Sequence, residues 1–208
     1  MPPDPAATRD KLLDAATALF AERGVANVSL AEIVRAADQR NTSAIHYHFG
    51  GRDHVIEAIL ARHVPALRAR RLELLEHARA TPSDDVRSVA EALVRPVTEL
   101  AQRGWRERAY LQIGAELANQ LDRTTHEMRR LFRETAGPEV MALLAERCAV
   151  PEDVWRVRAL IGNAFVGRAA ADRARALDRD TDDALDEQRW IDNLVDMFVA
   201  MMTTPVTH

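Results

Sequence analysis

From Thr8 to Met202 the apolar residues of this 208-residue chain recur at helical spacing, and nowhere do they alternate as a half-buried strand requires. Leu12, Leu13, Ala16, Leu19 and Phe20 share one face of a first helix, which Gly24 should end after Arg23. Ala, Leu, Arg and Glu dominate, while aromatics are 5% and glycines and prolines number 8 and 9. An all-α fold is predicted. Beyond the first 51 residues, helices are expected over roughly 52–80, 84–102, 105–121, 124–135, 138–148, 152–177 and 183–203. Pro65 predicts a kink or break near Val64 in the first of these.

Several functional classes are excluded early. The single cysteine, Cys148, rules out an internal disulfide, and its apolar neighbours place it in a core. No apolar stretch approaches the ~18 residues of a membrane span. No basic-then-apolar leader opens the sequence, so a cytoplasmic protein is expected. No His-Glu-x-x-His, Gly-rich phosphate loop or Gly-x-Ser-x-Gly elbow occurs. His46 and His48 are neighbours in sequence, but positions i and i+2 do not face each other on a helix. Neither an enzyme nor a cofactor or metal protein is expected. The net charge of −4 argues against nucleic-acid binding by bulk charge, yet not against a small basic face. Residues 1–52 hold six basic and six acidic side chains, so the whole deficit lies in the C-terminal part.

The informative stretch is 29–51. Ser29 and Glu32 form a capping-box pattern, and Leu30, Ile33, Val34 and Ala37 define a helix of about two turns. A polar turn, 38–41, leads into a second short helix from about Thr42 to Phe49, closed by Gly50 and Gly51. A recognition helix needs an apolar inner face to seat it and a small or polar outer face to enter the major groove. Ile45 and Phe49 supply the first. Arg40, Asn41, Thr42, Ser43, His46 and Tyr47 supply the second, and no acid occurs from Gln39 to Arg52.

Residues 8–60, about a quarter of the chain, resemble the N-terminal DNA-binding domain of the TetR (tetracycline repressor) family of transcriptional regulators. The resemblance rests on Leu12-Leu13-Asp-Ala-Ala-Thr-Ala-Leu-Phe-Ala-Glu-Arg-Gly24, on Val28-Ser-Leu-Ala-Glu-Ile33 and on Ala44-Ile-His-Tyr-His-Phe-Gly-Gly-Arg-Asp53. By position it implies phosphate contacts from Tyr47, His48 and Arg52, where Arg52 replaces the family's usual Lys. His46 stands where the family usually has Tyr. The turn over 38–43 lacks the usual Gly-Val-Ser and is one residue longer, which shifts the start of the recognition helix. The expected base readers are Arg40, Asn41, Thr42 and Ser43; Arg40 fits either a guanine or the backbone.

The resemblance further implies a three-helix helix-turn-helix domain, 1–51, followed by an antiparallel helical domain, 52–208, that dimerises and binds a small-molecule effector. Such a homodimer would bind a palindromic double-stranded operator and, as a repressor, leave it when the effector binds. An activator, a regulator controlled by a protein partner, and a ligand-binding helical protein without DNA activity are the alternatives. The residues themselves support a dimer. In 152–177, Trp155, Ala159, Gly162, Val166 and Ala169 form one stripe, and Val154, Val157, Ile161, Ala164 and Phe165 another. A helix apolar on two faces is covered on two sides. The first stripe, with Trp190, Leu194 and Phe198 of the last helix, is the expected interface. Trp105, Tyr110, Met128, Phe132, Met141 and Phe165 are candidates to line an effector pocket, with Gln112, Glu116, Asn119, His126 or Asn163 as polar anchors, and Glu116 and Asn119 lie one turn apart.

Overall fold

Asp4 opens the first helix, α1 (Pro5–Arg23). Its carboxylate accepts the Ala6 N–H at 2.9 Å, and Pro5 sits where a missing N–H costs nothing. Gly24, at φ 85°, closes α1 where the sequence places the stop. A single 3-10 turn, Val25–Asn27, leads to α2 (Leu30–Ala36), and α3 (Ala44–Phe49) follows. The larger helices are α4 (Arg52–Arg79), α5 (Val86–Ala101), α6 (Trp105–Ala118), α7 (His126–Glu134), α8 (Gly137–Arg147), α9 (Glu152–Asp178) and α10 (Glu187–Thr203). The structure, a computed structural model, describes residues 4–39, 41, 43–118, 120, 124–179 and 185–206; among these there is no strand.

Of the kink or break expected near Val64, the break does not occur: α4 runs through Pro65 as one helix. Pro65 and Ala61 both lie on the exposed side of the helix. The carbonyl that loses its donor therefore has water as a substitute.

Two apolar cores hold the helices. The first joins Leu12, Phe20, Ile33 and Ile45 of the N-terminal helices to Ile59 of α4, Ile113 of α6 and Met128 of α7. The second packs Leu75 of α4 and Leu93 of α5 against Leu144 of α8, Val166 of α9 and Phe198 of α10, with Cys148 at its edge.

The second core reverses the expected facing of α9. Gly162, Val166, Leu194 and Phe198 are buried within the chain's own core. A Cβ on Gly162 would lie 2.7 Å from the Phe198 ring, so this glycine permits close approach of α9 to the chain's own α10. Trp155, Ala159, Ala169 and Trp190 are half-buried beside it. The face left outside carries Val157, Leu160 and Ile161, at 57%, 66% and 53% exposure; on α10, Met197 is exposed at 49%. Burial of one stripe in the chain's own core leaves the other for solvent or a partner.

Candidate nucleic-acid interface and interhelical cavity

The helix-turn-helix is built by local hydrogen bonds. The Ser29 hydroxyl accepts the Glu32 N–H at 3.2 Å, and the Glu32 carboxylate accepts the Ser29 N–H at 2.8 Å. At the end of α2, Asp38 adopts a left-handed conformation (φ 55°) and the Gln39 N–H donates to the Val34 carbonyl at 3.0 Å. The Asn41 side-chain oxygen then accepts the Ser43 N–H at 2.9 Å, turning the chain into α3. Ile45, fully buried, seats α3 on the core.

The seat fixes what faces out. Asn41, Ser43, His46 and Tyr47 are exposed, and Tyr47 stands at 82% exposure. A tyrosine held that far into water on a six-residue helix is available to a partner. His48 is half-buried, with its ring edge-on to Tyr47 at 4.9 Å. The Arg9 guanidinium lies over the Phe49 ring at 4.7 Å and closes the far side of α3. Arg40 and Thr42, two of the expected base readers, lie outside the described residues, as does Asn119.

Arg52, expected at a phosphate, makes its contacts within the chain. Its guanidinium turns inward, donates to the Val25 carbonyl at 2.6 Å and to the Val28 carbonyl, and lies over the Phe20 ring. The carbonyls of the 3-10 turn claim the charge because that turn leaves them without helical donors.

A cavity of about 170 Å³ lies between α4, α5, α6, α7 and α9. Leu67, Leu93, Val97, Leu111, Phe132 and Val166 make it mostly apolar, while Arg71, Tyr110, Thr135, Asn163 and Arg168 add polar groups. Of the residues expected to line a pocket, Tyr110, Phe132 and Asn163 do so. Trp105 lies at a separate polar depression with Glu22 and Arg175. Met128 is packed into the first core, and Met141 and Phe165 lie against the second. Glu116 faces the N-terminal helices, where both carboxylate oxygens accept the Val25 N–H. Arg71 is a buried charged cavity residue that the sequence reading missed. Its signal was present: one basic residue in the buried series Val64, Leu67, Arg71, Leu75 and Ala78 of α4.

α6 therefore has two contacts of different kinds. Tyr110, Leu111, Gly114 and Ala115 line the cavity. Arg106 forms a two-point pair with Asp14 of α1, at 2.8 and 2.6 Å, and Glu116 holds the turn after α1. The Arg106 guanidinium keeps the Asp14 carboxyl below the ordinary aspartate range, with help from Arg62.

Residues 12–59 match the family model for bacterial regulatory proteins, tetR family. Over these residues the chain is similar to the TetR family. Solved structures extend the TetR-type fold over nearly the whole chain. A TetR-family transcriptional regulator from Bordetella parapertussis 12822 aligns at 16% identity and TM-score 0.62, over 96% of this chain and 98% of that one. A transcriptional regulator from Rhodococcus sp. Rha1 aligns at 21% identity and TM-score 0.58, over 93% and 95%. NalD, the secondary repressor of the MexAB-OprM multidrug efflux pump in Pseudomonas aeruginosa, aligns at 22% identity and TM-score 0.55, over 96% and 97%. No curated protein matches the sequence. Among the described residues no helix is long and apolar enough to cross a membrane.

Proposed function

We propose that the chain is a homodimeric transcriptional repressor that binds a palindromic DNA operator and leaves it when a small-molecule effector occupies the α4–α9 cavity. The carrying observation is the exposed surface of Asn41, Ser43, His46 and Tyr47 on a helix seated by Ile45, inside the TetR-type domain. His48 completes that surface toward the phosphates. In this reading residues 1–51 bind DNA and residues 52–208 bind effector and dimerise.

The outward face of α9 and α10 is the dimer contact. Val157, Leu160, Ile161 and Met197 form an apolar patch there, and such patches mark association sites. A symmetric pairing of these two helices with their copies would cover it. Release follows from the position of α6. An effector that fits the cavity better in one position of α6 shifts the population of that position. Through Arg106 and Glu116, α6 carries α1 and the turn after it, and so changes the spacing of the two recognition helices.

Selection of the full chain against a random-sequence duplex library tests this. The expected product is an inverted repeat with half-site centres about 34–36 Å apart, one helical turn. Recovery of single, unrepeated half-sites would refute the dimer. Recovery of no enriched sequence would refute specific DNA binding.

A further inference from the structure

Arg71 is a cation in the apolar stripe of α4, and its side chain is 9% exposed. The guanidinium is anchored at one corner. Nη1 donates to the Thr135 carbonyl at 3.2 Å and to the Thr135 hydroxyl. The Nε–H is buried with no acceptor. No carboxylate among the described residues pairs with Arg71; Glu139, its acidic neighbour, bonds Arg68 at 3.4 Å. A buried charge without a counter-ion is costly, and proteins keep such groups chiefly at functional sites.

The surroundings sharpen what is missing. A Cβ on Gly137 would meet Arg71 Nη1 at 3.3 Å, so α8 begins beside the guanidinium. No side chain caps the first turn of α8. Cation and helix N-terminus together make the local field favour an anion. The rest of the lining is mostly aliphatic and aromatic, with the Tyr110 hydroxyl, Asn163 and a second cation, Arg168, which is largely exposed and already paired with Asp172 at 2.7 Å. A volume of about 170 Å³ compares with the ~150 Å³ engineered cavity that admits benzene.

We propose that this cavity takes a small carboxylic acid with an apolar body of about one aromatic ring or a short acyl chain, its carboxylate held by Arg71. The planar guanidinium fork matches a carboxylate, and the edge left free by Thr135 is the one that receives it. The proposal rests on the effector reading above and names the effector's chemical class.

Calorimetric titration of the full chain tests it with octanoate and phenylacetate, their neutral amides octanamide and phenylacetamide, and octylamine. Each acid should bind at least about tenfold more tightly than its amide, and the amine not at all. Arg71→Met should bring each acid to the level of its amide while leaving the amide within about threefold. Equal binding of acid and amide, an acid preference that survives Arg71→Met, or no acid binding up to about 10 mM overturns the proposal. Should Arg71→Met fail to fold, the ranking on the unsubstituted chain decides. Phenyl phosphate binding more tightly than phenylacetate would assign the cavity to phosphate esters and also overturn it.

Release of the selected duplex separates this proposal from the effector reading. If acids bind through Arg71 and DNA affinity is unchanged, the effector reading fails and the carboxylate site stands. If the amides release DNA and the acids do not, the carboxylate site fails and the effector reading stands.

Discussion

The Glu116 carboxylate accepts the Val25 backbone N–H through both oxygens, each at 3.1 Å. The contact spans 91 residues of sequence and fixes the cavity helix α6 to the turn after α1. On the other side of Val25, Arg52 donates to its carbonyl. Glu116→Ala leaves the Val25 amide in a half-buried place without an acceptor. A loss of about 1–2 kcal/mol in urea unfolding is expected, with Glu116→Gln restoring most of it. Unchanged stability in Glu116→Ala would show that water replaces the carboxylate and that the link carries no strain between the units.

Arg52→Ala separates two roles for one residue. With its guanidinium on the Val25 and Val28 carbonyls, the variant should unfold more easily by about 1–3 kcal/mol. The salt dependence of DNA binding should keep its slope. A slope shallower by about one unit per half-site, with stability unchanged, would return Arg52 to the phosphate backbone.

Gly162→Ala forces a methyl to within 2.7 Å of the Phe198 ring, which is fully buried and has no room to yield. Overpacking costs about 1–3 kcal/mol, against about 1 kcal/mol gained from helix propensity. Net destabilisation is expected, and a shift of the thermal midpoint checks it. Gly167, also in α9, has nothing within 4 Å of the place a methyl would take, so the same substitution there should not destabilise.

These residues also show where sequence reading succeeds and where it stops. Local chemistry is legible. Ser29 and Glu32 specify a helix start through their own spacing, and Gly24 specifies a stop through its conformation. Two apolar faces on α9 are legible too, because periodicity reports that a face is covered. It does not report by what. The choice between the Gly162 face and the Ile161 face depends on where α10 crosses, which is a tertiary fact. Arg52 shows a related limit. Position in a motif says that a cation is near DNA, whereas nearby carbonyls at Val25 and Val28 decide where it points. Glu116 shows its role only once α1 and α6 are in contact.

His63 gives the fold an acid-sensitive point. Burial pushes its imidazole down to about 4, and its ring lies against Tyr110 at 4.6 Å between centroids. The unfolded chain binds this proton near pH 6.5, the folded chain only near 4. The unfolded state therefore gains protons first, and stability is lost as pH falls from about 6.5 to about 4. The loss from this group is at most about 3 kcal/mol. His63→Leu should flatten the urea midpoint across that window. A profile as steep as that of the unsubstituted chain would place the acid sensitivity elsewhere.

Tyr47 offers the most direct test of the DNA-binding surface, because its 82% exposure separates function from stability. The measurement is fluorescence anisotropy of the selected duplex and a scrambled duplex, titrated with the unsubstituted chain and with Tyr47→Ala, alongside urea unfolding of both proteins. The unsubstituted chain should prefer the selected duplex by at least about 1,000-fold. Tyr47→Ala should bind it at least about tenfold more weakly, with the same unfolding midpoint. Equal binding of selected and scrambled duplexes by the unsubstituted chain, or full affinity in Tyr47→Ala, would contradict the account.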